Sequence, residues 1–261
     1  MVDIVIPVYK ENPTLDDITS LNQALLILGN HDLTIIYPEG LNINQYKTLG
    51  FKTFMSFPKE YFLGISGYNR LMLSTGFYKS FSKKYILIYQ TDCYIFRDEL
   101  LDWCNKNYDY IGAPWLRSNK KNPVFKQAWD FGIYYFLTAI NYKKNKKWQK
   151  NKSLLYNEVG NGGLSLRKRD KFIDILTKLD NVVNIYLKAE NESQFYAEDV
   201  FFSIEPKRNK IMFSIADYKV ACRFSVESKP EKAILINHGK LPFGCHRWNK
   251  EHYNFWKKYI K

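Results

Sequence analysis

The chain has 261 residues, 46% of them hydrophobic, and carries 39 Lys and Arg against 26 Asp and Glu for a formal net charge of +13. This composition excludes wholesale disorder and suffices for one large α/β domain; the charge favours polyanionic partners, whether nucleic acid, anionic membrane or phosphorylated substrates. Cys93, Cys104, Cys222 and Cys245 form no CxxC pair, which argues against structural zinc. No secretory leader opens the sequence and no apolar run approaches the ~18 residues of a membrane span, so a reduced, cytoplasmic protein is expected.

In chain order, Val2–Val8 reads as a first strand, stopped by Pro7 and the polar Tyr9-Lys10-Glu11-Asn12. Leu15–Leu28 has helical spacing, with Ile18, Leu21, Leu25 and Leu28 on one face. Leu33–Tyr37 is a second strand, Tyr46 starts a short helix, and Phe51–Phe54 is a third strand. Gly67–Phe81 is predicted as one helix with Leu71, Leu73, Phe77 and Phe81 as its apolar positions. Tyr85–Tyr89 is a continuous apolar run, the pattern of a strand buried on both faces, and it ends in Gln90-Thr91-Asp92. The β-α-β-α-β rhythm predicts a doubly wound, mainly parallel sheet flanked by helices.

The second half is less regular. Leu100–Asn105 is helical and Tyr110–Trp115 a strand and turn. Residues 116–155 form an insertion holding the basic block Lys143, Lys144, Lys146, Lys147 and Trp148, a combination suited to peripheral contact with anionic membrane. Gly160-Asn161-Gly162-Gly163 reads as a turn before a strand at Leu164–Leu166. Arg169–Lys178 and Phe195–Ile204 are helical, and Trp248–Ile260 is predicted as an aromatic helix closing the domain. The whole chain, 1–261, is expected to form one domain: a nucleotide-sugar half over about 1–115, the insertion, and an acceptor half over 156–261.

Four constellations can do chemistry. Asp92 ends a buried strand, where open α/β sheets bind ligands and a carboxylate can hold a divalent cation; helix capping or a simple turn is the alternative. The glycine run lets backbone approach a ligand closely. Glu198-Asp199 opens a helix, where the dipole favours ionised carboxylates, and Asp199 could serve as general base. His246, in the Pro/Gly-punctuated Leu241–Trp248 turn, could ligate a Mn²⁺-type ion, although a lone His is more often structural.

Taken together, VDIVIPVYKEN, GYNRLMLSTGFYKSF, YILIYQTDCYIFRDEL, YDYIGAPW, VGNGGLSLR, Glu198-Asp199 and LPFGCHRW resemble, in order and spacing, a bacterial glycosyltransferase-like family catalogued as a domain of unknown function. The resemblance runs from about Val2 to Ile260 and implies a GT-A-type fold, with a Rossmann-like nucleotide-sugar half joined to an acceptor half. It places Gln90-Thr91-Asp92 at the Asp-x-Asp position, with Gln90 replacing the first acid and Asp92 the main ligand for Mn²⁺ or Mg²⁺. His246 resembles the late histidine that completes metal coordination. Pro7, Val8 and Tyr9 resemble nucleobase contacts, and Gly162-Gly163 the turn lining sugar and acceptor. Asn69 and Arg70 fall within the second motif as donor contacts, with Arg70 and Arg167 available to the diphosphate. Glu198 and Asp199 resemble the acidic motif of inverting enzymes, with Asp199 as base.

The resulting expectation is a metal-dependent glycosyltransferase. It would move a sugar from a nucleotide-sugar donor, UDP-linked, to a glycan or lipid-linked acceptor in surface polysaccharide synthesis. The expected place is the cytoplasm, with peripheral contact at the inner membrane face. The alternatives are a catalytically inactive nucleotide-sugar-binding relative, suggested by Gln90, and a nucleic-acid-binding protein, suggested by the charge. No nucleic acid is expected as a partner, because the basic residues cluster in one insertion without a recognisable binding motif. A nucleotidyltransferase would need a glycine-rich basic loop after the first strand, and VYKENP is not one.

Overall fold

The computed structural model describes residues 1–117, 155–189 and 196–260. A six-stranded sheet has the order β3-β2-β1-β4-β7-β6, built from β1 (Val2–Pro7), β2 (Asp32–Pro38), β3 (Thr53–Phe57), β4 (Tyr85–Tyr89), β6 (Tyr110–Pro114) and β7 (Val159–Lys168). The pairs β1/β2, β2/β3 and β1/β4 are parallel, whereas β7 runs antiparallel to both β4 and β6. The sheet is therefore mixed and largely parallel. A second, three-stranded sheet, β5-β9-β8, joins β5 (Cys93–Ile95), β9 (Gly244–His246) and β8 (Ser225–Val226).

The continuous apolar runs of β1 and β4 make sense once both faces are covered. Ile4, Ile6, Leu87 and Tyr89 pack into one core with Leu21, Ala24 and Leu28 of helix α1 (Leu15–Leu28). Val5, Ile86 and Ile88, pointing the other way, pack into a second core with Phe77, Tyr78, Phe172 and Phe202. A capping box starts α1: the Thr14 hydroxyl accepts from Asp17 N–H, and the Asp17 carboxylate accepts from Thr14 N–H at 2.9 Å. Helix α2 (Asn44–Thr48) leads into β3.

Five expectations are corrected. The helix predicted over Gly67–Phe81 is two, α3 (Gly64–Met72) and α4 (Thr75–Lys79); Ser74 breaks the run and caps α4 by accepting from Gly76 N–H. The third strand lies later than Phe51–Phe54, and the helix predicted from Phe195 is Glu198–Arg208. The glycine run is not a turn: Gly160, Gly162 and Gly163 all lie inside β7. The closing helix shrinks to Tyr253–Trp256, because Asn249 and Lys250 are drawn into side-chain contacts with Asp16 and Asp92 while Trp248 and Trp256 anchor on Tyr94 and Phe96. Helix α5 (Leu100–Asn105) forms where predicted. The basic block Lys143–Trp148 lies outside the described residues. Among the described residues, no helix is long and apolar enough to cross a membrane.

Candidate active site

From β1 the chain moves through β2 and β3 to one side, then returns to place β4 on the other side of β1. The strand order thus reverses between β1 and β4, and a crevice opens beyond the carboxyl ends of such neighbours. A cleft of about 880 Å³ occupies that position. Pro7, Tyr9 and Lys10 enter it from the end of β1, and Gln90, Thr91 and Asp92 from the end of β4. Gly162 and Gly163 of β7, Asn69 of α3, Glu198 and Asp199, and His246 of β9 complete it.

Asp92 and His246 meet because β5 and β9 pair antiparallel with Cys93 opposite His246. The His246 Nε2 atom lies 3.0 Å from Asp92 Oδ1 and 3.1 Å from Gln90 Oε1. Gly163 makes this possible: a Cβ there would fall 2.2 Å from Nε2 and 2.3 Å from Cε1, so only glycine lets the imidazole lie against β7. The second Asp92 oxygen accepts from Lys250 Nζ at 2.8 Å. Burial alone would raise the Asp92 carboxyl, but hydrogen bonds and charge from His246 and Lys250 prevail and hold it well below the usual carboxylate range.

One carboxylate, one imidazole nitrogen and one amide oxygen form a donor set suited to Mn²⁺ or Mg²⁺. His246 Nε2, Asp92 Oδ1 and Gln90 Oε1 converge at one point of the cleft, and the ionised Asp92 already attracts a cation, the Lys250 ammonium. The residues present therefore fit a divalent ion. Cys93 lies in the same cluster but would stay outside the ligand set, since burial pushes its thiol up and it donates to Gly163 O at 3.2 Å.

The two neighbouring carboxylates at the start of helix Glu198–Arg208 separate in role. Glu198 is buried, accepts from Arg167 Nη2 at 3.0 Å, and its backbone N–H donates to Asn69 Oδ1 at 3.1 Å. Gly162 leaves room for this pair, since a Cβ there would lie 2.0 Å from Glu198 Oε1. Asp199 lines the cleft without an ion-pair partner among the described residues, and its Oδ1 accepts from Val200 N–H at 2.8 Å. Burial, followed by the charges of Glu198 and Glu227, pushes its carboxyl well above the usual range. This reverses the expectation from the helix dipole: desolvation and like charge outweigh the terminus.

Three expected contacts fall elsewhere. Val8 is in the core, its N–H donating to Ile36 O at 2.9 Å. Arg70 points away along α3, where Nη2 donates to Ser66 Oγ at 3.3 Å. Arg167 is wholly buried on the far side of β7, donating to Tyr78 Oη at 2.9 Å and Ser165 Oγ at 3.0 Å as well as to Glu198. It is a structural cation and does not line the cleft.

Sequence reasoning missed several lining residues. Asp17 joins the N-terminal cap to the site by accepting from Thr91 Oγ1 at 2.6 Å and Lys10 Nζ at 3.1 Å; the Thr14-x-x-Asp17 cap was the available signal. Lys250, four residues after His246, was visible as a cation near the late motif. Glu227 and the apolar wall of Tyr61, Phe62 and Ile65 gave none, since each is an isolated side chain in a short segment.

The fold and the cleft define a class, the GT-A glycosyltransferase fold. The chain resembles LgtC, a galactosyltransferase solved in complex with donor and acceptor sugar analogs, at 12% identity and a TM-score of 0.57, covering 99% of this chain and 95% of that one. It also resembles mouse xyloside xylosyltransferase 1 in its apo form, at 11% identity and a TM-score of 0.53, over 94% and 98% of the two chains. At these identities the likeness is one of fold. Within that class the chain belongs to the family described as "Protein of unknown function (DUF5672)", whose profile matches residues 52–246. No curated protein matches it by sequence.

Proposed function

We propose that the protein is a metal-dependent glycosyltransferase that moves a sugar from a nucleotide-sugar, UDP-linked, to a glycan or lipid-linked acceptor in surface polysaccharide synthesis. The observation that carries this proposal is the convergence of Asp92 Oδ1 and Gln90 Oε1 on His246 Nε2, within 3.1 Å, in the crevice where the strand order reverses. Asp92, His246 and Gln90 would hold Mn²⁺ or Mg²⁺, which when bound supplies positive charge to a leaving diphosphate.

The chain's own residues divide the remaining work. Lys10, Arg247 and Lys250 line the cleft and add positive charge where a diphosphate would sit. Tyr9, 62% exposed at its edge, offers a ring face to a nucleobase. Asp199 is the general base of an inverting transfer. It takes the proton of the acceptor hydroxyl as that oxygen bonds to the anomeric carbon and the diphosphate departs with the bonding pair. An elevated carboxyl affinity for protons suits that task, because a base is most effective with its pKa near the working pH. Glu198, tied to Arg167, positions the start of the helix that presents Asp199.

The test is a thermal-shift and calorimetric comparison of nucleoside diphosphates with and without Mn²⁺. Ligands that bind only the native state raise its apparent stability by mass action. A Mn²⁺-dependent shift with UDP supports the proposal, and no shift with any nucleoside diphosphate rejects it. Gln90 in place of a carboxylate favours a second reading, a binding protein without turnover. Release of free sugar or transfer product from a bound donor separates the two.

A further inference from the structure

Glu227 follows β8 directly, and β8 pairs with β9 so that Val226 lies opposite Cys245. This pairing sets the Glu227 carboxylate beside His246: its Oε1 is 3.6 Å from Nδ1, on the ring edge opposite the atom that faces Asp92 and Gln90. The distance is that of an ion pair rather than a hydrogen bond. Among the described residues the buried Nδ1 has no hydrogen-bond partner. The ring has little freedom, because it lies flat against Gly163 and a Cβ at that position would overlap three of its atoms.

An imidazole can offer a lone pair to a cation from only one nitrogen, and the proton on the other is set by what that nitrogen faces. Here Nε2 faces a carboxylate and an amide oxygen, and Nδ1 faces a carboxylate. From this geometry, and resting on the metal-dependent function proposed above, we infer that Glu227 is a positioning residue: once the Nε2 lone pair is given to the divalent ion the proton of the neutral ring must sit on Nδ1, and Glu227 is the carboxylate that faces it there. Such outer carboxylates orient a metal-binding imidazole and raise its basicity. The role has added weight in this chain because Gln90 brings no charge to the cluster, so Glu227 supplies negative charge to the site from behind the imidazole.

Two readouts test the inference. The first is the ¹⁵N signature of His246 in the full chain loaded with Mg²⁺, a diamagnetic ion, for the wild type and for Glu227→Ala and Glu227→Asp. The proton is expected on Nδ1 in the wild type, redistributed to Nε2 in Glu227→Ala, and restored at least in part by Glu227→Asp. A wild-type ring protonated on Nε2, or a tautomer unchanged in Glu227→Ala, overturns the inference. The second is Mn²⁺ affinity by calorimetry, expected to fall about 10–100-fold in Glu227→Ala; an unchanged affinity in a variant with native circular dichroism also overturns it. A wild type that binds neither Mn²⁺ nor Mg²⁺ overturns the metal-dependent function and this role with it, whereas an unchanged affinity in Glu227→Ala overturns the role alone.

Discussion

Gly163→Ala isolates the link between the main sheet and the proposed metal-binding cluster. The added methyl would lie 2.2 Å from His246 Nε2, 2.3 Å from Cε1 and 2.6 Å from Cδ2. Carbon contacts settle near ~3.5 Å, so the ring must retreat by about 1.3 Å. Metal–ligand distances tolerate only about ±0.2 Å, and a displacement several times larger uncouples Nε2 from Asp92. Mn²⁺ affinity should therefore fall by at least the ~10–100-fold typical of a disturbed ligand orientation. Overpacking should cost about 1–3 kcal/mol, or roughly 2–12 °C in melting temperature for a chain of this size. Gly162→Ala is the matched control: its methyl would press on Glu198 Oε1 at 2.0 Å, so it should lower stability through the Arg167 pair with a smaller effect on the ion. Calorimetry with Mn²⁺ and thermal unfolding of both variants give the comparison. A Gly163→Ala protein with wild-type melting temperature and wild-type Mn²⁺ affinity would refute the placement of His246 against β7.

Asp92→Asn should abolish Mn²⁺-dependent UDP binding. Because the folded-state carboxyl is held below its ordinary 3.8, its stabilisation is present above that pH and lost as pH falls through the lowered value; the variant should melt lower than wild type at pH 7, with the gap closing in acid. Asp199→Asn should behave oppositely in stability. Its raised carboxyl stabilises the fold fully only below 3.8, and that contribution is lost as pH rises through the raised value, so the variant should melt higher than wild type at pH 7. The same variant should lose ~10²–10⁴-fold in transfer rate with donor affinity little changed; near-wild-type transfer would leave the motif as a helix start only. Arg167→Met strands Glu198 in the core and should cost about 3–5 kcal/mol in denaturant unfolding, whatever the activity. Replacing Lys143, Lys144, Lys146 and Lys147 with Gln should weaken binding to anionic vesicles by about 1 kcal/mol per residue; a wild type that ignores such vesicles at low salt would end the expectation of membrane contact.

Much of the sheet was legible in the sequence because burial on both faces removes polar residues from a strand, and Tyr85–Tyr89 reads that way without help. Asp92 was legible for the same reason, as the carboxylate beyond such a strand. The glycine run misled because a turn and a close approach have the same local signature. Only the positions of Glu198 and His246, distant in sequence, show that Gly162 and Gly163 make room for side chains. Arg167 was read as available to assist a diphosphate electrostatically, or as a surface ion-pair partner. Its alternation with Leu164 and Leu166 could have placed it on the opposite face of β7 with Ser165, where it meets Tyr78 and Phe172. Glu227 was invisible because its place depends on the pairing of a two-residue strand, which no periodicity reports.

The small β5-β9-β8 sheet has a consequence for the order in which the molecule is assembled. Gln90 and His246 are 156 residues apart, yet their side chains touch. The parallel core β3-β2-β1-β4 draws only on the first third of the chain, so it can condense while the C-terminal region is still being synthesised. The Asp92–Gln90–His246 cluster must wait for β9 and for the slow closure of a very long loop. A nascent or truncated chain can therefore reach a native-like sheet without a competent centre. If the cluster binds Mn²⁺ as proposed, a protein clipped before Gly244 should keep its first-half strands while being blind to the ion.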